Sequence, residues 1–285
     1  MASMRDIKRR RSSIQSTEQI TKAMKLVSTV KLQKSRTKAE NSKPYFNMMY
    51  QTVSSMLAKS GNMDHKYLKA GASDRKAVIA ITSNRGLAGG YNNNIIRMIA
   101  GDERFPSGRT SIYAIGNKGK DGLARKGYEI AGDYPEVIEE PEYQDAQEIT
   151  SVLLSEFEKG NIGEIYLAYT VFKNTVSQKP ALIKLLPVEF ETGETDGGPA
   201  VLMNYEPNET AVLDQLVPKY MSSMIYGALL EAVASENGAR MTAMDSATSN
   251  AEEMIEELSL QYNRARQGSI TQELTEIIAG ANAIS

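Results

Sequence analysis

Hydrophobic and polar positions follow helical spacing at both ends of this chain and strand-like runs in between. Over residues 1–58 apolar side chains are sparse. Ile20, Ala23, Val27 and Val30 recur at 3,4,3 intervals, with Ile7 and Ile14 a heptad apart further up, which is helical spacing. Pro44 is expected to bend or break it locally, because 45–50 resumes helical composition beyond the proline. A polar linker is expected over 60–74. From Leu213 onward, steps of 3 and 4 pass through Leu216, Tyr220, Ser223, Gly227, Leu230, Ala234, Asn237, Met241, Met244, Thr248, Ala251, Ile255, Leu258, Tyr262 and Ala265. That sustained heptad seam predicts a left-handed coiled coil over 208–285. The seam is rich in small and polar members. Two readings of it stand: a tightly packed two-helix stalk, and a surface that tolerates rotation or sliding against a surrounding wall.

The middle block, 75–190, has another texture. A β-branched run at 76–82 enters the glycine-rich stretch 84–90, and 91–100 reads as a helix. A second buried-type strand follows at 111–115, a short helix at 118–125, and an amphipathic helix at 143–159 with Ile149, Val152, Leu153 and Phe157 on one face. Residues 164–172 and 181–186 read as paired strands, with 177–180 near their turn. This alternation predicts a small α/β domain with a mostly parallel sheet. The stretch 191–199 reads as a turn-rich loop.

Proline placement fits these blocks. All nine prolines lie between Pro44 and Pro218, leaving a proline-free arm at each end. At about 1.5 Å per residue, a helix over roughly 208–280 would run on the order of 110 Å. A compact domain of the middle block's size is only about 35–40 Å across, so the ends are expected to project.

A formal net charge of −2 hides an asymmetry. Residues 1–43 carry twelve Lys/Arg against three acids, and 208–285 carry eleven acids against four bases, which suits pairing of the two arms. No stretch approaches the roughly 18 apolar residues that a membrane span needs. The Arg-rich start resembles a transit peptide in composition, but it runs into the helical pattern without a separable cleavage region and is read as mature protein.

Candidate chemistry is scarce. There is no cysteine, which excludes disulfides, thiolate metal sites and cysteine nucleophiles. The one histidine, His65, is expected to be a solvated loop residue and cannot build a His-rich metal site. The turn 84–90 sits where phosphate loops sit, after a strand and before a helix. It does not match G-x-G-x-x-G, and the reading is a tight turn needing positive φ. Near Gly116, Lys120 is followed by Asp121 rather than the Ser or Thr of a P-loop. Glu252, Glu253, Glu256 and Glu257 read as a solvated helix face. No catalytic, cofactor or metal residues are expected, so function should come from shape and contacts.

Several stretches together carry a resemblance: IKRR at 7–10, TEQITKAMKLVS at 17–28, NRGLAGGYN at 84–92, ARMTAMDSATSNA at 239–251 and YNRARQGSITQELTEI at 262–277. In order and over both ends and the middle, they resemble the gamma subunit of F-type ATP synthase, bacterial type. The resemblance implies an α/β fold class: a long antiparallel two-helix coiled coil from the N- and C-terminal segments (1–58 and 208–285) plus a small Rossmann-like foot domain at 75–190. It implies a non-catalytic central rotor shaft that turns inside the ring of alpha and beta subunits. The foot would meet the epsilon subunit and the membrane c-ring at the cytoplasmic face of the bacterial membrane. Three charges crossing roughly 150 mV would deliver about 10 kcal/mol through such a shaft.

By the same resemblance, Lys22, Met24, Lys25, Arg240, Arg266, Gln267, Thr271 and Glu273 match positions that contact the catalytic beta subunits, and Tyr205 matches the foot loop near the c-ring. Lys25 stands where many relatives carry an acid or an apolar residue. No cysteine-bearing regulatory insertion is present, so thiol control is not expected. The rival reading is a non-catalytic coiled-coil scaffold or tether with an α/β head. It gives no reason for Arg266 and Gln267 beside Ile270, Leu274 and Ile277. Nucleic-acid binding through the basic arm lacks interleaved aromatics in 1–43.

Overall fold

The computed structural model describes residues 4–59, 65–175, 177–188 and 208–284. In chain order these form α1 (Met4–Lys59), β1 (Lys76–Ile81), α2 (Tyr91–Ala100), β2 (Thr110–Ile115), α3 (Asn117–Ala124), β3 (Glu129–Asp133), α4 (Tyr143–Glu158), β4 (Glu164–Phe172), β5 (Gln178–Leu186) and α5 (Glu209–Ile284). The expected mixed α/β class, with a long helix at each end, is the one found. The expected loop 191–199 falls outside the described residues. The chain divides into two compact units, Met1–Ser28 with Met241–Ser285, and Thr29–Arg240.

In the larger unit the sheet runs β3-β2-β1-β4-β5, with the first four strands parallel and β5 antiparallel to β4. Both faces are covered. Ala77, Ile79 and Ile81 of β1 point into a core with Ile149, Leu153 and Phe157 of α4 and with Leu213, Val217, Met221 and Ile225 of α5. Val78 and Ala80 point the other way, toward Ile95 and Ile99 of α2 and Leu123 of α3. A strand buried on both faces needs a continuous apolar run, which is why 76–82 reads so clearly.

Four details depart from the sequence expectations. Helix α1 continues through Pro44 without a break. Pro44 and Glu40 are exposed, so water can take the Glu40 carbonyl that lacks its usual amide donor. Strand β3 has no counterpart among the expected strands. It is a five-residue edge strand with only one β-branched member, and its register slips opposite Ile112 and Tyr113. A Cβ at its Gly132 would lie 2.7 Å from the Tyr113 ring, so the residue that weakens the strand signal is required by packing. Strand β5 begins at Gln178 rather than near 181, and Pro180 sits opposite Thr170. As β5 is the sheet edge, a missing N–H is tolerated there. Finally, His65 is buried, 3 % exposed, rather than solvated. Its ring packs against Tyr67, and its Nε2 lies 3.4 Å from an Asp214 carboxylate oxygen at the start of α5.

The heptad seam of α5 is buried or half-buried at every position from Leu213 to Ala265. On α1 the inward stripe differs from the apolar spacing. Ile7, Thr21, Ser28, Leu32 and Ser35 are buried and Ile14 is half-buried, whereas Ile20, Val27 and Val30 are 58–69 % exposed. The inward positions follow a heptad from Ile7, but hydroxyl residues occupy its later turns. The apolar spacing of Ile20, Val27 and Val30 therefore marks the outer side.

Candidate functional site

The reversal of strand order places β1 and β4 at the switch point, where doubly wound sheets hold phosphates. At the neighbouring strand end, after β2, the helix donors are already committed. The first amides of α3 donate to the chain itself: Asn117 N to Asn84 Oδ1 at 3.1 Å, Lys118 N to the Ser83 carbonyl at 3.0 Å, and Gly119 N to Thr82 Oγ1 at 2.8 Å. Ser83 N donates to Asn92 Oδ1 at 2.9 Å. Gly116 has φ of 96°, and a Cβ there would lie 2.3 Å from the Thr82 carbonyl oxygen. The turn 84–90 has positive φ at Leu87 (63°) and Gly89 (55°), as its reading as a tight turn anticipates. It works as a packing joint against α5. The Tyr91 hydroxyl donates to the Ala232 carbonyl at 3.2 Å, and Arg240 reaches the Gly86 carbonyl at 3.4 Å.

Arg240 also pairs with Glu236 one turn away at 2.7 Å, both side chains only 12–13 % exposed. Burial pushes the Glu236 carboxyl up, opposed by Arg240. Burial also pushes the Tyr91 phenol well up. The pair lines a cleft of about 270 Å³ with Lys31, Lys34, Glu139 and Glu140 on its rim. Among the described residues matched to beta-subunit contacts, Arg240 is the one that belongs to this larger unit.

In the smaller unit α1 and α5 pair antiparallel, since contacts step down α5 as they step up α1. Arg11 lies over the Tyr262 ring at 5.7 Å, Thr21 and Thr248 share a buried hydrogen bond of 2.7 Å, and Lys25 meets Asp245 at 2.5 Å. Lys22 bridges Glu18 at 2.5 Å and Glu252 at 2.9 Å, and those hydrogen bonds, Glu18's first, hold its ammonium above the ordinary lysine range. Exposed pairs of this kind are screened by water and contribute little stability, but they set which faces meet. Lys22, Met24 and Lys25 thus lie together opposite residues 245–252.

Arg266, Gln267, Thr271 and Glu273 form a separate group, all exposed, farther along α5. Fourteen residues from Glu252 to Arg266 correspond to about 20 Å of helix, so the two groups are distinct patches. Tyr205 lies outside the described residues. Sequence reasoning does not place Leu26 among the exposed apolar residues of α1, where it joins Ile20, Val27 and Val30. On α5, Ile270, Leu274, Ile277 and Ile278 are 49–68 % exposed and continue the apolar outer surface around the second patch.

Comparison with known proteins places this arrangement in a family. A family model described as "ATP synthase" matches residues 3–284. An ATP synthase gamma chain of Lachnoclostridium phytofermentans is 62 % identical over 292 residues, covering all of both chains. The chain belongs to the ATP synthase gamma-chain family. Another member, from Alkaliphilus metalliredigens, is 44 % identical over 285 residues, with 99 % of this chain and 98 % of that one covered. Among solved structures, a chain of the Euglena gracilis mitochondrial ATP synthase, in an assembly of OSCP, F1 and c-ring, shares the fold. Its TM-score is 0.69 at 20 % identity, over 99 % of this chain and 94 % of that one. Membership makes the chain a non-catalytic subunit of the synthase. The tether reading falls with it.

Proposed function

We propose that this chain is the central rotor shaft of an F-type ATP synthase, coupling ion flow across a membrane to ATP synthesis and hydrolysis by turning inside a ring of alpha and beta subunits. The observation that carries this reading is the lopsided character of the paired helices. In the smaller unit, α1 (4–28) carries seven bases against two acids, and α5 (241–284) carries seven acids against two bases. A ring around such a pair meets positive charge from one side and negative charge from the other. Turning the pair therefore changes the field and the contacts that each ring position experiences. A seam with Thr21, Ser28 and Thr248 in place of large apolar residues lets the helices approach closely. The outer faces remain open to partners.

In this reading Lys22, Met24 and Lys25 form one contact with the beta subunits, and Arg266, Gln267, Thr271 and Glu273 another. Arg240 meets the ring from the edge of its cleft. Alternating polar donors and acceptors suit contacts that must break and re-form on every turn. Tyr205 and the α/β unit would face the epsilon subunit and the c-ring, at the cytoplasmic face of a bacterial membrane. No helix among the described residues is long and apolar enough to cross a membrane, in keeping with attachment through partners. The terminal helices (1–58 and 208–285) would form the shaft and 75–190 the foot.

The reading is tested by reassembly. The purified chain alone is expected to hydrolyse no ATP, and its addition to alpha and beta subunits should restore steady hydrolysis to the mixture. Hydrolysis by the chain alone, or no effect of adding it, would overturn the assignment.

A further inference from the structure

Within the larger unit α5 is built into the fold, with Leu213, Val217, Met221, Ile225 and Leu229 in the same core as the strands. Helix α1 is held more sparingly. Its inward positions step by 3 and 4 from Leu32 through Ser35, Ala39, Ser42 and Phe46 to Met49, all buried or half-buried. That is a heptad stripe, but its middle is made of small residues. Between Leu32 and Met49, a length of about 25 Å, Phe46 is the one large member.

The seat of Phe46 is Gly227, on the seam of α5. A Cβ at Gly227 would lie 3.0 Å from Phe46 Cδ2 and 3.1 Å from Cε2, so the phenyl ring rests on the glycine backbone. Along the seam the glycine lies between Ser223 and the larger Leu230, both buried, and forms a notch that takes the ring as a hole takes a knob. The phenyl ring is also edge-on to Tyr226, with centroids 6.1 Å apart and planes at 75°. Tyr226 is in turn edge-on to Tyr143 at the start of α4, at 5.7 Å and 89°. Edge-to-face pairs of this kind have a preferred geometry that a sliding helix would lose. A line of aromatic side chains therefore runs from α1 across α5 to α4.

Pro44 stands two residues before Phe46 and leaves the Glu40 carbonyl without its amide donor. Long helices kink at such gaps. The place where α1 yields most easily thus lies beside the place where it is seated. Taking the rotor reading as its basis, we infer that Phe46 on Gly227 is a mechanical key. It is a positioning residue that stops α1 from sliding or bending against α5 under load, so that both helices carry torque between the foot and the shaft. Without the key, α1 flexes at Pro44 and part of each turn is absorbed instead of transmitted.

The number of ions pumped per ATP hydrolysed, measured on the reassembled synthase in sealed vesicles, tests this. Phe46→Ala should lower that ratio at least threefold, while hydrolysis by the chain with alpha and beta subunits alone stays within about twofold of the unaltered rate. Phe46→Met, long and adaptable enough to fill the notch, should keep the ratio. A contact that only stabilises the fold would lower the melting temperature of the free chain and reduce pumping and hydrolysis in proportion. An unchanged ratio in Phe46→Ala, a proportional fall of both activities, or an equal fall in Phe46→Met would overturn the inference. If Phe46→Ala does not assemble, Gly227→Ala decides: its methyl lifts the phenyl ring and should lower the ratio, and an unchanged ratio there would likewise overturn the key. No pumping with the unaltered chain would instead overturn the rotor reading, and the key with it.

Discussion

Gly116→Ala is expected to destabilise the α/β unit by about 3 kcal/mol or more, and to leave little soluble chain. Two costs add. The residue holds φ of 96°, where an L side chain is strained by about 1–3 kcal/mol. Its new methyl would stand 2.3 Å from the Thr82 backbone oxygen, which cannot swing away because Thr82 is fully buried and Thr82 N is bonded to the Ile115 carbonyl at 2.8 Å. Gly268 gives the contrast: it lies inside α5, and a Cβ added to it would meet no atom within 4 Å. Gly268→Ala should stabilise the isolated chain by up to about 1 kcal/mol through helix propensity alone. Denaturant unfolding of both variants checks the pair. A soluble Gly116→Ala chain of unchanged stability would mean that the strand-to-helix joint is not built as described.

The second large effect concerns coupling. Joint replacement of Arg266, Gln267, Thr271 and Glu273 by alanine should lower ATP-driven ion pumping by the reassembled synthase at least tenfold. The same change should leave the melting of the free chain nearly untouched. All four side chains are exposed, and the Thr271 hydroxyl donates only to the Gln267 carbonyl one turn back, at 2.9 Å. Exposed substitutions of this kind usually alter stability by no more than about 0.5 kcal/mol. A tenfold loss corresponds to about 1.4 kcal/mol, modest for several polar contacts closed off from water by a ring. Pumping that stays at the unaltered rate would remove this patch from the working surface.

How much of this is legible in the sequence depends on where the physical constraint lies. The seam from Leu213 to Ala265 is readable because a helix that packs along its length must repeat every seven residues, whichever side chains it uses. Strands β1, β2 and β4 are readable because burial on both faces demands an unbroken apolar run. The inward side of α1 is not, since Thr21, Ser28 and Ser35 bury hydroxyls, and those of Thr21 and Ser35 bond within the helix or across to Thr248. Hydropathy assigns such residues to the outside. Strand β3 is hidden by Gly132, and the seat of His65 by residues far along the chain. Asp214 approaches it only after folding, so no local pattern announces a buried imidazole at 65. The proposed contact patches are legible only through resemblance. Exposed Arg, Gln, Thr and Glu on a helix look like any solvated face until a partner is known.

Rotation itself is the most direct test. With the alpha–beta ring fixed to a surface and a visible probe attached to the α/β unit of this chain, ATP should drive stepwise, one-directional turning of the probe. Hydrolysis that proceeds at the full rate while the probe stands still would contradict the account.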